Sequence, residues 1–272
     1  MPSRDTRRTI GDLVWFYAAT MTVTWLCYTP IIFEARRVGT VDRESPLLLL
    51  GLLAVLAPTM TACVLAAVRG GRRELRGLLG MAVRARFPLR WYLTVLVIPF
   101  AVPLLAVAGD ALISGAAPAA WLIAPSAQTL ATFWIAPIGE DLGWRGYALS
   151  RLLTLSGPAA TSLLLGPAWA LWHLPMAFVP GTAQADQPFW AFTVQVTGAT
   201  MIFTRVFLAT RGSVLAMILM HATANLAFNT VPVFATEGGN HPRTLLLALL
   251  YLVAGVGALA TLPRRRQPAA GG

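Results

Sequence analysis

The sequence predicts an all-α protein, a polytopic transmembrane helix bundle of about eight spans, and three observations predict it. Hydrophobic residues make up 57% of the 272 positions and charged residues only 12%, with a mean hydropathy of +0.67, which is far too apolar for a soluble domain of this length. The apolar residues fall into runs of about twenty, enough to cross a hydrocarbon core of about 30 Å at a helical rise of about 1.5 Å per residue. The 21 basic residues, all arginine, gather mainly in alternate gaps between those runs.

The first run, 11 to 33, follows Arg4, Arg7 and Arg8 and so imitates a signal peptide. It continues to Phe33 without a convincing small-residue cleavage site, and it reads as an uncleaved first span. The second and third runs cover 46 to 68 and 91 to 114. Between them, residues 72 to 92 mix arginines with Leu75, Leu78, Leu79, Met81 and Val83, a pattern for an amphipathic helix lying on the membrane surface. A basic loop that only enforces topology is the plainer alternative. The remaining runs are 126 to 153, 158 to 179, 189 to 209, 213 to 233 and 243 to 262. Pro30, Pro58, Pro99, Pro103 and Pro137 fall inside runs, which a membrane bundle tolerates because neighbouring helices satisfy the freed backbone groups. With no internal repeat or linker, residues 1 to 272 are expected to form a single membrane-embedded domain.

An even number of spans puts both termini on one side. On that reckoning seventeen arginines lie on the terminal side and four, Arg36, Arg37, Arg43 and Arg243, on the other. The positive-inside rule then places both termini in the cytoplasm, with the bacterial plasma membrane as the expected location. The same asymmetry accounts for the net charge of +10 without nucleic acid as a partner. Cys27 and Cys63 sit in apolar runs without C-x-x-C spacing and read as packing residues.

Against this apolar background the stretch PIGEDLGWRGYALSR, residues 137 to 151, stands out because it puts Glu140, Asp141 and Arg145 inside a span. Charge at that depth is costly and needs water or partners, so it marks a functional site by default. On a helix, Asp141 and Arg145 are four apart and face each other, while Glu140 is turned about 100° away. Arg145 can therefore neutralise and orient Asp141, leaving Glu140 free to face a cavity. The alternative is that all three form a polar cluster holding helices together.

Two of the three histidines also fall within spans: His173 in WALWHLP, four residues after Trp169, and His221 in HATAN, four residues before Asn225. The third, His241, is expected in a polar loop. Counted from the assumed span ends, Glu140 and His173 lie about 16 to 22 Å deep and His221 about 12 Å, so one shared cavity is feasible. A glutamate in apolar surroundings beside a histidine can act as general base on water. A second histidine and an asparagine amide can hydrogen-bond the oxyanion formed when water attacks an amide carbonyl. Two histidines with one carboxylate also equal the protein ligand count of many catalytic zinc sites, although no H-E-x-x-H is present. Both chemistries remain open at this level.

GEDLGWRGYAL, WALWHLP and HATAN, in this order on successive apolar helices, resemble the motifs of the CAAX-protease and bacteriocin-processing family of intramembrane endopeptidases. The resemblance covers roughly residues 125 to 235. It rests on a Glu-Glu-x-x-x-Arg motif met by Glu140 and Arg145, a Phe-x-x-x-His motif met by His173, and a His-x-x-x-Asn motif met by His221 and Asn225. Asp141 stands where a second glutamate is usual, keeping the charge, and Trp169 where phenylalanine is usual, keeping an aromatic wall. The resemblance implies a glutamate-dependent peptidase in which Glu140 and His173 activate water while His221 and Asn225 stabilise the oxyanion, with Asp141, Arg145 and Trp169 in support. It requires no cofactor in that form, whereas a variant with a divalent metal such as zinc has also been proposed for such proteins. The implied partners are the lipid bilayer and a peptide or protein substrate at the membrane: prenylated C-terminal CAAX proteins in eukaryotic relatives, bacteriocin maturation or immunity in bacterial ones. The motifs specify neither the substrate nor the oligomeric state. A non-enzymatic immunity or scaffold protein on the same fold is the competing class, against which the retention of Glu140 and His173 speaks. A proton-coupled transporter is a third, but the paired repeats with broken helices that mark such transporters are not found in the sequence.

Overall fold

The computed structural model of the chain describes residues 3–39, 45–116, 118–234 and 241–263. Arg43 and Arg264 to Arg266, which enter the arginine count, lie outside the described residues. Every regular element among the described residues is helical. Five helices are long and apolar enough to cross a membrane: α1 (Arg4–Val38), α2 (Leu47–Ala82), α3 (Leu89–Ser114), α8 (Phe189–Ala209) and α10 (His241–Ala260), the last qualifying from Pro242 onward. The chain is an integral membrane protein of the all-α, polytopic kind.

The other three expected spans exist as apolar helical segments, but not as continuous twenty-residue helices. The fourth is assembled from α4 (Ala127–Thr132), α5 (Ile135–Asp141), a π-helical stretch (Leu142–Leu149) and α6 (Ser150–Leu155). The fifth, expected to run to residue 179, is α7 (Pro158–Trp172), capped by His173 and followed by a 3-10 turn (Leu174–Phe178). The seventh is α9 (Val214–Thr230). These are the elements that carry the expected site residues. His241, expected in a loop, is instead the first residue of α10.

Contacts between segment ends sort into two opposite ends of the bundle. At one end Arg8 donates to the Arg69 carbonyl, Glu74 pairs with Arg151, Arg84 donates to the Arg211 carbonyl, and Arg205 Nε donates to Thr261 Oγ1 at 2.9 Å. At the other end the Ile123 amide donates to the Thr230 carbonyl at 2.6 Å, Arg36 lies 5.7 Å from the Phe178 ring, and Arg243 meets Asp110 at 2.7 Å. The expected surface helix at 72 to 92 is corrected in its bounds. Residues 72–82 continue α2 past a kink at Gly71, whose φ of 65° and ψ of −163° suit glycine, while residues 89–92 already belong to α3.

The centre is set by a close helix crossing. Gly139 and Gly143 are four apart and face α2: a Cβ on Gly139 would come within 2.7 Å of the Val55 carbonyl oxygen, and one on Gly143 would overlap the Pro58 carbonyl. Small residues let backbones approach where lipid offers no hydrophobic drive. Around this crossing Phe16, Trp144 and Tyr147 pack edge-on and stacked at ring separations of 5.4 Å. Trp172 Nε1 donates to Thr24 Oγ1 at 2.7 Å, and Thr24 donates in turn to the Ala54 carbonyl at 3.0 Å. These links tie α7 to α1 and α2.

Candidate active site

Glu140 and Asp141 close α5, and the π-helical stretch begins at the next residue. π-Helical turns are rare and concentrate at functional sites because they widen the spacing of side chains around the axis. Glu140 is 2% exposed, Asp141 0% and Arg145 1%, so every charge here must be satisfied from within the protein.

The expected Asp141–Arg145 pair is present, with Arg145 Nη1 2.8 Å from Asp141 Oδ1. The guanidinium also lies over two rings, 3.7 Å from the Trp169 centroid and 4.3 Å from that of Phe203. Such stacking stabilises a desolvated cation through the negative face of the ring.

Two partnerships were not expected. Asp141 Oδ2 accepts from His221 Nδ1 at 3.3 Å, so this carboxylate joins the fourth segment to α9 and serves more than Arg145. Glu140, expected to face a cavity without partners, accepts from the Trp169 indole N–H at 2.9 Å through Oε2. The adjacent cavity is lined by Trp169, and its lining does not include Glu140. Both corrections follow from the crossing geometry, because α7 and α9 press side chains against the fourth segment that a one-helix projection leaves out.

His173 caps α7, and its Nδ1–H donates to the Trp169 carbonyl at 2.8 Å. That hydrogen bond leaves Nε2 with its lone pair. The donation of His221 Nδ1–H to Asp141 likewise leaves Nε2 of that ring uncommitted. Asn225 Nδ2 lies 3.5 Å from the Phe133 carbonyl. The structure thus gathers Trp169, His173, His221 and Asn225 on the wall of one cavity of about 200 Å³, with Glu140 bonded to the first of them. Most of the remaining lining is apolar, including Phe192, Phe203 and Phe228. Among the described residues no three His, Cys, Asp or Glu side chains converge closely enough to hold a metal ion.

Sequence reasoning missed the indole donor of Trp169, although the tryptophan itself was singled out. It also missed the buried Asp110, whose Oδ2 accepts from Arg243 Nε at 3.0 Å and Nη2 at 2.7 Å. An aspartate within the third apolar run was the available signal.

Residues 120–227 match the family described as type II CAAX prenyl endopeptidase Rce1-like. A protein named CAAX prenyl protease 2, from Methanococcus maripaludis, is 34% identical to the chain over 93 residues, a match covering 32% of this chain and 34% of that protein. The chain therefore matches about a third of the length of this curated relative. Every residue from Glu140 to Asn225 discussed above falls within the matched window, which excludes α1 to α3 and α10. Over residues 120–227, about two fifths of its length, the chain is thus similar to the type II CAAX prenyl endopeptidase Rce1-like family.

Proposed function

We propose that this protein is an intramembrane endopeptidase that hydrolyses a peptide bond of a membrane-associated or lipidated substrate by water activated at Glu140 and His173. The observation that carries the proposal is that one residue holds both groups: Trp169 fixes Glu140 through its indole N–H and His173 through its carbonyl. In this reading a water entering from the cavity side, where His173 offers its free Nε2, reaches Glu140 beside the Trp169 indole as substrate binds. Glu140 removes a proton and the resulting hydroxide adds to the scissile carbonyl carbon. The carbonyl oxygen becomes an oxyanion, which Asn225 and a doubly protonated His221 can bind. In that form His221 keeps Nδ1–H on Asp141 and offers Nε2–H to the oxyanion. The proton held by Glu140 passes to the leaving amine as the C–N bond breaks.

The role of Asp141 and Arg145 in this reading is to hold His221 and the fourth segment in place. No step is assigned to a metal. The whole chain is read as one domain, with α1 to α3 and α10 enclosing the site, and with both termini in the cytoplasm of a bacterial cell. Fusion reporters after residues 120 and 184 should then read as outside the cytoplasm. The reaction is tested with a purified sample and a quenched fluorescent peptide ending in a farnesylated Cys-aliphatic-aliphatic-X sequence. Cleavage by the parent chain and none by Glu140→Gln supports the reading; a protein that binds the peptide without ever cutting it points to a scaffold.

A further inference from the structure

Gln195, on α8, is 4% exposed, and its Oε1 has no hydrogen-bond partner. It lines the same cavity as His173 and His221, together with Phe192, Val196, Ala199 and Phe203 of its own helix. Spacings of three and four residues put these five on one helix face. The other faces of α8 are committed to close packing: Gly198 abuts the backbone at Tyr251 and Leu252 of α10, and Thr197 abuts Gly166 of α7. Gln195 is therefore held toward the cavity, and it is the one polar side chain on that face.

Across the cavity His173 Nδ1 is engaged with the Trp169 carbonyl, His221 Nδ1 with Asp141 and Asn225 Nδ2 with the Phe133 carbonyl, and none of these is bonded to Gln195. A buried acceptor without a donor is costly, and such a group calls for a partner that arrives with a ligand. A peptide entering this space has the matching need, since its backbone N–H groups meet mostly apolar side chains along α8.

We propose that the α8 wall is a substrate-backbone subsite in which Gln195 Oε1 accepts a hydrogen bond from a peptide N–H of the substrate beside the scissile bond. The nature of the ligand rests on the endopeptidase reading. Gln195 acts as a positioning residue: it fixes the register of the chain against His173, while Phe192 and Val196 flank an apolar substrate side chain. Its loss weakens binding of the peptide by about tenfold, the share of one buried hydrogen bond.

The test is binding rather than turnover. In the Glu140→Gln chain, affinity is measured for the fluorescent farnesylated peptide and for a series carrying one N-methylated amide at each bond around the scissile position. Gln195→Met, similar in length but without the acceptor, is compared with Gln195, and Gln195→Ala replaces it if the first variant unfolds at lower temperature. The expected result is that one N-methyl position and the Gln195 substitution each weaken binding about tenfold, and that combining them costs no more than either alone. Additive losses, no loss, or a parent chain that does not bind the peptide overturn the subsite. Coupled losses in a protein whose unmodified form hydrolyses nothing leave the subsite standing and refute the endopeptidase reading alone.

Discussion

Trp169 holds Glu140 and His173 by two different parts of itself, the indole N–H at 2.9 Å from Glu140 Oε2 and the main-chain carbonyl at 2.8 Å from His173 Nδ1. A substitution can therefore remove one hold without the other. Trp169→Phe loses the indole donor but keeps the carbonyl and an aromatic face for Arg145, and a single net hydrogen bond is worth about 0.5–1.5 kcal/mol. We expect kcat/KM on the farnesylated peptide to fall no more than about tenfold. Trp169→Ala also removes the ring beneath Arg145 and opens the core, which for a buried aromatic costs about 3–5 kcal/mol; thermal unfolding in detergent should show it. A Phe variant as unstable as the Ala variant would mean that the indole hydrogen bond, rather than the ring, holds this region together.

Asp141 faces Arg145 on one oxygen and His221 on the other, so its loss should affect stability and activity by separate routes. Asp141→Asn leaves a buried guanidinium without its counter-charge, a change that typically costs about 3–5 kcal/mol. Replacing Arg145 as well, in Asp141→Asn with Arg145→Met, removes the orphaned charge and should restore most of the melting temperature. Activity should stay low in the double variant, because His221 still lacks its carboxylate. Recovery of activity along with stability would reduce Asp141 to a partner of Arg145 only.

The Asp110–Arg243 pair joins α3 to α10, and Arg243 Nη1 also donates to the Pro232 carbonyl at 2.5 Å. It lies outside the matched window, and neither residue lines the cavity that holds the proposed catalytic groups. Arg243→Met removes one member of a buried ion pair and should lower stability by about 3–5 kcal/mol. In protein that remains folded, kcat should be unchanged. A loss of kcat at full stability would tie this end of the bundle to the reaction itself.

How far this architecture was legible in the sequence depended on the range of the interactions. The runs that became α1, α2, α3, α8 and α10 were legible because hydropathy over twenty residues is a local property. The Asp141–Arg145 pair was legible for the same reason, since four residues on one helix are neighbours. The pairing of Glu140 with Trp169 and of Asp141 with His221 spans 29 and 80 residues. It depends on how α7 and α9 cross the fourth segment, which no single-helix periodicity contains. The π-helical stretch was equally hidden, although Gly139 and Gly143 at a spacing of four were a readable sign of a close crossing at that place.

The three-helix site also separates two chemistries by their response to metal. With no step assigned to an ion, purified active protein should contain well under one equivalent of zinc per chain and should keep its rate after dialysis against chelator. Asn225→Ala, which loses one oxyanion donor, should cut kcat by about a hundred- to a thousandfold and still leave measurable turnover. One tightly bound zinc per chain, whose removal and return switch the activity off and on, would contradict this account.

The central claim is tested most directly by hydrolysis of the farnesylated fluorescent peptide by purified Glu140→Gln beside the parent chain, at matched amounts of folded protein. Glutamine keeps the size of Glu140 and an oxygen to accept the Trp169 N–H but has no base to offer water. The account predicts an unchanged melting temperature, unchanged peptide binding and no cleavage above background. Cleavage by Glu140→Gln within tenfold of the parent rate would contradict it.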